Sequence, residues 1–447
     1  MKKKRYAQVG IGGRSYMYSN ATRTSHAAWA ELVAICDINP GRMDVRNRRF
    51  IEGDPNDPDL PKLPPVPAYP ADQFDRMLAE QRPDVVIVTT KDAYHHEYII
   101  RAMEAGCDAI TEKPMTIDAE KCQAIVDTVR KTGRSLRVTF NYRYSPARTQ
   151  VKELLAGGVI GKVLSVDFSW NLNTSHGADY FRRWHRNKIN SGGLLVHKAT
   201  HHFDLVNWWL ATVPEEVFCF GSRQFYTPAQ ADEYGLKNRG ERCRECPASA
   251  DCKFFTDLTK FLDLKEFYLD QEKYDGYFRD RCVFSDTIDI EDSMNAVVRY
   301  RNGVLMSYAL NAFMPWEGYA ISFNGTKGRL EHTCVESIYV SGDGTVPGAF
   351  VKQGTGIIVH PLFGEQYAVP IREGTGGHGG GDSLLLDDLI NPDAPADPLK
   401  RSAGVGEGAY SILTGIAANR SIATGKPVRI SDLVTGIPEP DFGPAPR

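Results

Sequence analysis

Apolar residues follow two different rhythms along the chain. In the N-terminal part they come in short unbroken runs, at residues 5–9, 32–37, 84–90 and 108–112. A run without polar alternation suits a strand covered on both faces, as in a parallel sheet. Between the runs, residues 72–80 and 92–105 space their apolar positions for helices, and residues 50–69, rich in Pro, Asp and Gly, read as a surface loop. Strands alternating with helices predict a doubly wound α/β sheet. Further on, apolar and polar residues alternate one by one at 165–173, 293–300, 304–310 and 319–323, as in strands of a sheet. Helical spacing returns at 254–269 and at 408–424, the latter stopped by Gly425, and residues 438–447 read as a loose tail.

With 447 residues, 42% hydrophobic and 24% charged, the chain can bury the cores of two or three domains. A net charge of −3 gives no footing for a nucleic-acid or membrane partner. The basic start Met1-Lys-Lys-Lys-Arg is followed by a stretch too short and too glycine-rich for a signal peptide, and no apolar run reaches membrane-spanning length. Nine cysteines, mostly single in apolar contexts, suit a reducing cytosol better than a disulfide framework. A cytoplasmic location is therefore expected.

The first strand runs into Gly10-Ile-Gly12-Gly13-Arg14-Ser15. A glycine-rich turn between strand and helix is the dinucleotide fingerprint, with Ser15 at its third small position and the helix N-terminus, Arg14 and Ser15 beside the pyrophosphate. The second strand ends in Asp37. An acid there can accept from an adenosine ribose, which favours NAD over NADP, although Arg42 lies close enough to soften the preference. Ligands of such sheets sit at the carboxyl ends of the strands, which puts Gly10, Asp37, Thr90, His95 and Lys113 on one edge.

Residues 191–209 concentrate the remaining chemistry. They open on Gly192-Gly193 and continue as an amphipathic helical pattern in which His197, His201 and Asp204 share one face at i, i+4 and i+7. Three readings apply. The histidines can be core residues bonded to carbonyls. They can be metal ligands, although the Glu of His-Glu-x-x-His is missing. Or they can serve acid–base catalysis beside a cofactor. A separate stretch at about 225–283 carries Cys243-Arg-Glu-Cys246, Cys252 and Cys282, a thiolate set compatible with a structural zinc or, equally, with reduced thiols in an insert.

Glu112-Lys113-Pro114 after a strand, in a chain that opens with Gly-x-Gly, resembles the glucose–fructose oxidoreductase, inositol dehydrogenase and rhizopine-catabolism oxidoreductases (Gfo/Idh/MocA). Thr90-Lys-Asp-Ala-Tyr-His95 is similar to the family's Thr-Pro-Asn-x-x-His turn, with Lys91 and Asp92 as departures. Asn141-Tyr-Arg143 resembles its crossover, and 158–161 and 325–328 its glycine turns. Residues 191–209 resemble its histidine segment, except that His197 stands where the family has Asp. The resemblance implies an NAD-binding Rossmann domain at 1–140 and, at 141–447, an α/β domain with a large, mostly antiparallel sheet for substrate binding and oligomerisation. It assigns Lys113 to the reacting carbon and His201 to proton exchange. His197, no longer a carboxylate, becomes a second base.

The expected cofactor contacts are Gly10, Gly12, Gly13, Arg14, Ser15, Asp37, Arg42, Thr90, His95, Glu112, Lys113, Asn141 and Arg143. The expected substrate contacts are Lys113, Arg182, Arg183, Trp184, Arg186, His197, Lys198, His201 and His202. The basic run at 180–188 reads either as a solvated face or, since in the family this loop faces the substrate, as a site in which Trp184 is a sugar-stacking platform and the cations bind an anionic sugar. Residues 374–382, with His378, read as a loop or a lip over that substrate. The implied reaction is hydride transfer between NAD and a sugar hydroxyl carbon. The alternative is redox-neutral glycoside hydrolysis with tightly held NAD, on an acidic or sulfonated sugar. A non-catalytic nucleotide sensor is a third class, opposed by the presence of both Lys113 and His201. A homodimer or homotetramer is expected.

Overall fold

The computed structural model describes residues 2–337, 351–374 and 377–447. Six strands build the first sheet: β1 Lys4–Val9, β2 Ala30–Asp37, β3 Ala68–Pro70, β4 Val85–Val88, β5 Asp108–Thr111 and β6 Leu136–Val138. All pair in parallel, in the order β3-β2-β1-β4-β5-β6. Val85–Val88 is buried throughout, as its unbroken apolar run requires of a strand sandwiched between helices. The order reverses between β1 and β4, which opens a crevice at their carboxyl ends.

Among the described residues the second sheet has nine strands: β7 Val163–Asn173, β8 Pro214–Ser222, β9 Ser293–Tyr300, β10 Leu305–Met314, β11 Glu317–Gly325, β12 Gly328–Ser337, β13 Val351–Pro361, β14 Tyr367–Val369 and β15 Val428–Arg429. Their order is β14-β13-β12-β11-β7-β10-β9-β8-β15, and only β7 with β10 pairs in parallel. Alternation sets the faces. Met294, Ala296, Val298 and Tyr300 point into the core, while Asn295, Val297 and Arg299 point out. The covered face packs on the helices Thr200–Leu210 and Val405–Thr424.

Local expectations fail at two places, and a third lies partly outside the described residues. The spacing at 254–269 yields only a 3₁₀ turn, Leu258–Lys260, and a six-residue helix, Leu262–Phe267, because the segment lies across the first domain instead of folding on itself. The C-terminal stretch is no loose tail: Phe442 is buried and stacks near the Arg143 guanidinium. The glycine-rich segment 374–382 falls partly outside the described residues. Among the described residues no helix is long and apolar enough to cross a membrane.

Candidate active site

A cleft of about 490 Å³ lies where the strand order of the parallel sheet reverses, and the second domain closes its far wall. The turn after β1 enters it. Gly10 takes φ +87°, and a Cβ there would lie 2.6 Å from the backbone of Thr89 and Thr90, so glycine alone lets β1 leave past β4. The Gly13 N–H is presented to an oxygen, the Tyr268 hydroxyl, at 2.8 Å. Ser15 is buried and bonds the Gly12 carbonyl; it starts the helix and does not line the cleft. Asp37 closes the other end, accepting from the Ile11 and Asn39 N–H groups at 2.5 and 2.7 Å. Burial raises its carboxyl, against Arg42 and those two donors, which lower it.

Arg42 is committed elsewhere. It donates to the Phe267 carbonyl at 3.0 Å, pairs with Asp275 at 2.7 Å and stands 3.6 Å from Asp37. The first two of these contacts come from the insert, which also carries Tyr268 and Tyr277 into the cleft. Nothing in the sequence of the insert announces that reach. Burial pushes the Tyr268 phenol up, but Arg279, Arg183 and the Gly13 N–H outweigh it and leave the phenol below its ordinary value.

Beyond the turn, Glu112 accepts from Arg14 at 2.5 Å and from Tyr18 at 2.7 Å. Asn141 and His378 bond Asp382, which Arg14 also approaches. His95 places its ring nitrogens 2.8 and 3.1 Å from the Pro114 and Thr90 carbonyls, so it stitches the ends of β4 and β5. Lys113 lines the cleft, and burial lowers its ammonium to about 8 even though Glu112 and Asp92 favour the charge.

The histidine segment is not one helix. Gly192 and Gly193 turn the chain with positive φ, a short helix spans Leu194–His197, and a second begins at Thr200. Between them the Ala199 N–H reaches back five residues to Leu194, which shifts the helical register. His197 and His201 still both face the cleft, but Asp204 does not join them. It sits fully buried against Arg143, with bonds of 2.8 and 2.6 Å, because a carboxylate in an all-buried helix needs a cation. Arg143 is therefore a structural counter-ion and does not reach the cofactor cleft.

His197 Nδ1 lies 2.5 Å from Asp92 Oδ2, a contact that joins the two domains. Burial, then Lys113 and Arg183, hold the imidazole well below its usual range, and burial raises the Asp92 carboxyl well above its own. His185 packs edge-on to His197 at 4.2 Å, and Trp184 stacks on His185 at 3.6 Å. His201 stacks on Tyr142 at 4.1 Å, and its Nδ1 is buried with no hydrogen-bond partner among the described residues. Burial and Lys113 keep this ring, too, unprotonated.

Asp92, His185 and Tyr180 line the cleft without having been expected there. Asp92 had a signal: it and His197 are both departures from the same family pattern, and they touch. The basic run behaves differently from expectation. Arg183 lines the cleft but pairs with Asp179 at 2.7 Å. Arg182 bonds the Phe254 carbonyl, and Arg186 bonds Thr287. Lys198 lies over Trp170, 3.7 Å from Glu317, and His202 bonds Tyr308 at 2.7 Å. None of these four lines the cleft, because each buried polar group has found a partner in its own domain. Cys243, Cys246, Cys252 and Cys282 line a different, small cavity, but among the described residues no group of three or more His, Cys, Asp or Glu side chains could hold a metal ion.

Residues 4–140 match the family description "Oxidoreductase family, NAD-binding Rossmann fold", and residues 152–430 match "Oxidoreductase family, C-terminal alpha/beta domain". YteT of Bacillus subtilis (strain 168), named as an oxidoreductase, is 37% identical over 435 residues, 95% of this chain and 97% of its own. An inositol 2-dehydrogenase/D-chiro-inositol 3-dehydrogenase of Lactiplantibacillus plantarum is 25% identical over 204 residues, 45% of this chain and 51% of its own. The crystal structure of the WlbA dehydrogenase from Bordetella pertussis with NADH and UDP-GlcNAcA shares the fold with TM-score 0.61 at 19% identity, over 96% of this chain and 99% of that one.

Proposed function

The chain belongs to the Gfo/Idh/MocA oxidoreductases, and from that premise we propose that it moves a hydride between NAD and a hydroxyl-bearing carbon of a neutral sugar or sugar derivative. The observation that carries this reading is one cleft lined by the glycine turn and Asp37 at one end and by Lys113, His197 and His201 at the other. The residues fit a dinucleotide. Gly13 offers its N–H to an oxygen acceptor, Asp37 offers a carboxylate to a ribose diol, and His201 keeps a buried nitrogen unpaired. NAD, when bound, supplies the hydride acceptor or donor. Arg42, held by Asp275 and Phe267, is not free for a 2′-phosphate, which favours NAD over NADP.

Everything else falls to the chain itself. Lys113, cationic below about 8, holds the reacting oxygen and lowers the cost of alkoxide charge. His201, unprotonated, takes the hydroxyl proton. Asp92 fixes the ring of His197, leaving Nε2 as a second base. Trp184 gives a sugar ring a flat surface to stack on. With Arg182, Arg186 and Lys198 engaged elsewhere, recognition rests on hydroxyl hydrogen bonds and not on an anionic group.

The Asp92–His197 pair also favours a second reading, redox-neutral glycoside cleavage, because that chemistry needs one more base, for a C–H proton. One experiment separates the two. The protein is purified without added nucleotide and denatured, and the released cofactor is identified. Sugars and aryl glycosides are then assayed for NADH formed per turnover. Freely exchanging NAD that accumulates as NADH supports the dehydrogenase. Retained NAD with glycoside cleaved and no net NADH supports the hydrolase. No turnover of any sugar would sink both. The outward face of the large sheet exposes Leu164, Val297 and Leu305 about halfway, and we expect a dimer or tetramer through it, measurable by light scattering.

A further inference from the structure

We propose that Tyr142 is a positioning residue for His201, orienting the imidazole by ring stacking in place of a hydrogen bond, an inference that rests on His201 being the base of the reaction above. A catalytic histidine commonly has its second nitrogen tied to a carboxylate or a carbonyl, which sets the ring plane. His197 follows that rule through Asp92. His201 does not. Its Nδ1 is buried, and no hydrogen-bond partner reaches it among the described residues. Proton transfer still needs the accepting nitrogen within hydrogen-bond reach of the hydroxyl, and a misplacement of about 1 Å can cost roughly 10²-fold in rate. The ring therefore has to be held by some other contact.

Tyr142 supplies it. This residue lies in the turn Asn141–Tyr144 after β6, fully buried, and does not line the cleft. Its ring centre is 4.1 Å from that of His201, and the two planes are nearly parallel, at 11°. Phe140 meets His201 edge-on at 6.2 Å. Tyr142 is itself pinned by two cations. The Arg148 guanidinium stands 4.0 Å from its ring centre, and Lys198 Nζ donates to its hydroxyl at 3.4 Å. Both cations are anchored in turn. Arg148 pairs with Glu336 of β12 at 2.5 Å and donates to the Tyr319 hydroxyl of β11 at 3.2 Å. Lys198 lies 4.7 Å over Trp170 of β7 and 3.7 Å from Glu317 of β11. Three strands of the large sheet thus reach the base through one tyrosine. Lys198, expected among the substrate contacts, serves here as an anchor behind the base. Stacking also orients an imidazole without occupying either nitrogen, so both stay available to the substrate and its proton.

Two variants and one spectrum of the full-length protein test this. Tyr142→Phe keeps the stack and loses only the bond from Lys198, whereas Tyr142→Leu loses the stack. On the sugar identified by the assay above, Tyr142→Leu is expected to lower kcat about 10- to 100-fold while KM and NADH affinity stay within about twofold. Tyr142→Phe is expected to keep kcat close to that of the wild type. With the histidines labelled with carbon-13, and His201 assigned by its loss in His201→Gln, the His201 ring protons should resonate upfield, over the face of the Tyr142 ring, in the wild type and in Tyr142→Phe. Should Tyr142→Leu fail to fold, those two spectra still decide. An unaltered kcat in Tyr142→Leu, an equal loss in Tyr142→Phe, or His201 protons without an upfield shift in the wild type would each overturn the role of Tyr142 and leave His201 as the base. A wild-type kcat in His201→Gln would instead overturn the base, and the role of Tyr142 with it.

Discussion

The two walls of the cleft treat their polar atoms differently. On the parallel-sheet side most are already partnered. Asp37 holds two backbone N–H groups, Glu112 holds Arg14 and Tyr18, and His95 faces two carbonyls. Across the cleft, His185 Nδ1 and His201 Nδ1 are buried without partners among the described residues, and His197 spends one nitrogen on Asp92. An unmet buried polar atom costs about 1–3 kcal/mol, a cost that persists in a fold where a ligand removes it. The satisfied wall is a fixed frame, suited to a cofactor that is the same in every turnover. The unsatisfied wall keeps its capacity for a substrate's hydroxyls and their protons.

The hardest test of that division removes a group from each side of the reacting centre. His201→Ala should lower kcat by roughly 10²–10⁴, and Lys113→Met by roughly 10²–10³, with NADH binding by fluorescence nearly unchanged in both. Loss of nucleotide binding in His201→Ala would make the histidine wall part of the cofactor frame and erase the contrast. Asp92→Asn comes next. Asp92 belongs to the sheet side but serves the other wall, so this change should reduce kcat about 10–100-fold through His197 alone. The discriminating readout is that KM and nucleotide affinity stay put. A parallel loss in His197→Asn, with no further loss in the double variant, would tie the two residues into one unit.

Much of the sheet side could be read in the sequence because it depends on local rules. An unbroken apolar run, Gly10 at positive φ and Asp37 at a strand end each follow from a few neighbouring residues. The histidine side depends on partners far along the chain. Nothing near Asp204 says that Arg143, 61 positions earlier, will neutralise it. Nothing near Gly13 says that Tyr268, 255 positions later, will cap its N–H. Arg182, Arg186 and Lys198 misled for a related reason: a run of cations shows charge but not which partners will use it. The Asp92–His197 contact was the exception, since its two halves depart from one family pattern and complement each other chemically.

A milder probe uses pH. In the proposed mechanism Lys113 acts as a cation, and burial brings its ammonium down to about 8, so its contribution is complete well below that value and is lost as pH rises through it. His201 and His197 are pushed below their usual value and are already unprotonated at neutrality. The kcat profile should therefore be flat through neutral pH and fall above about 8, and Lys113→Arg should move that limb upward. A rate that instead climbs through 8 would make Lys113 the base and His201 the spectator.

The smallest expected effect bears on the frame itself. Tyr268 is the one group of the insert bonded to the glycine turn, and Arg279 and Arg183 hold its phenol below the ordinary value. A phosphate oxygen is a stronger acceptor for the Gly13 N–H than a phenol is, so a bound dinucleotide takes over that donor. The phenol then turns its own O–H, a good donor because its pKa is lowered, to the phosphate. Tyr268→Phe removes that one bond, worth about 0.5–1.5 kcal/mol, and should weaken NAD binding roughly 2- to 13-fold by calorimetry with kcat unaltered. Tighter binding would carry the opposite meaning. It would make the hydroxyl a competitor for Gly13, and the insert a gate to be displaced instead of a permanent part of the cofactor's frame.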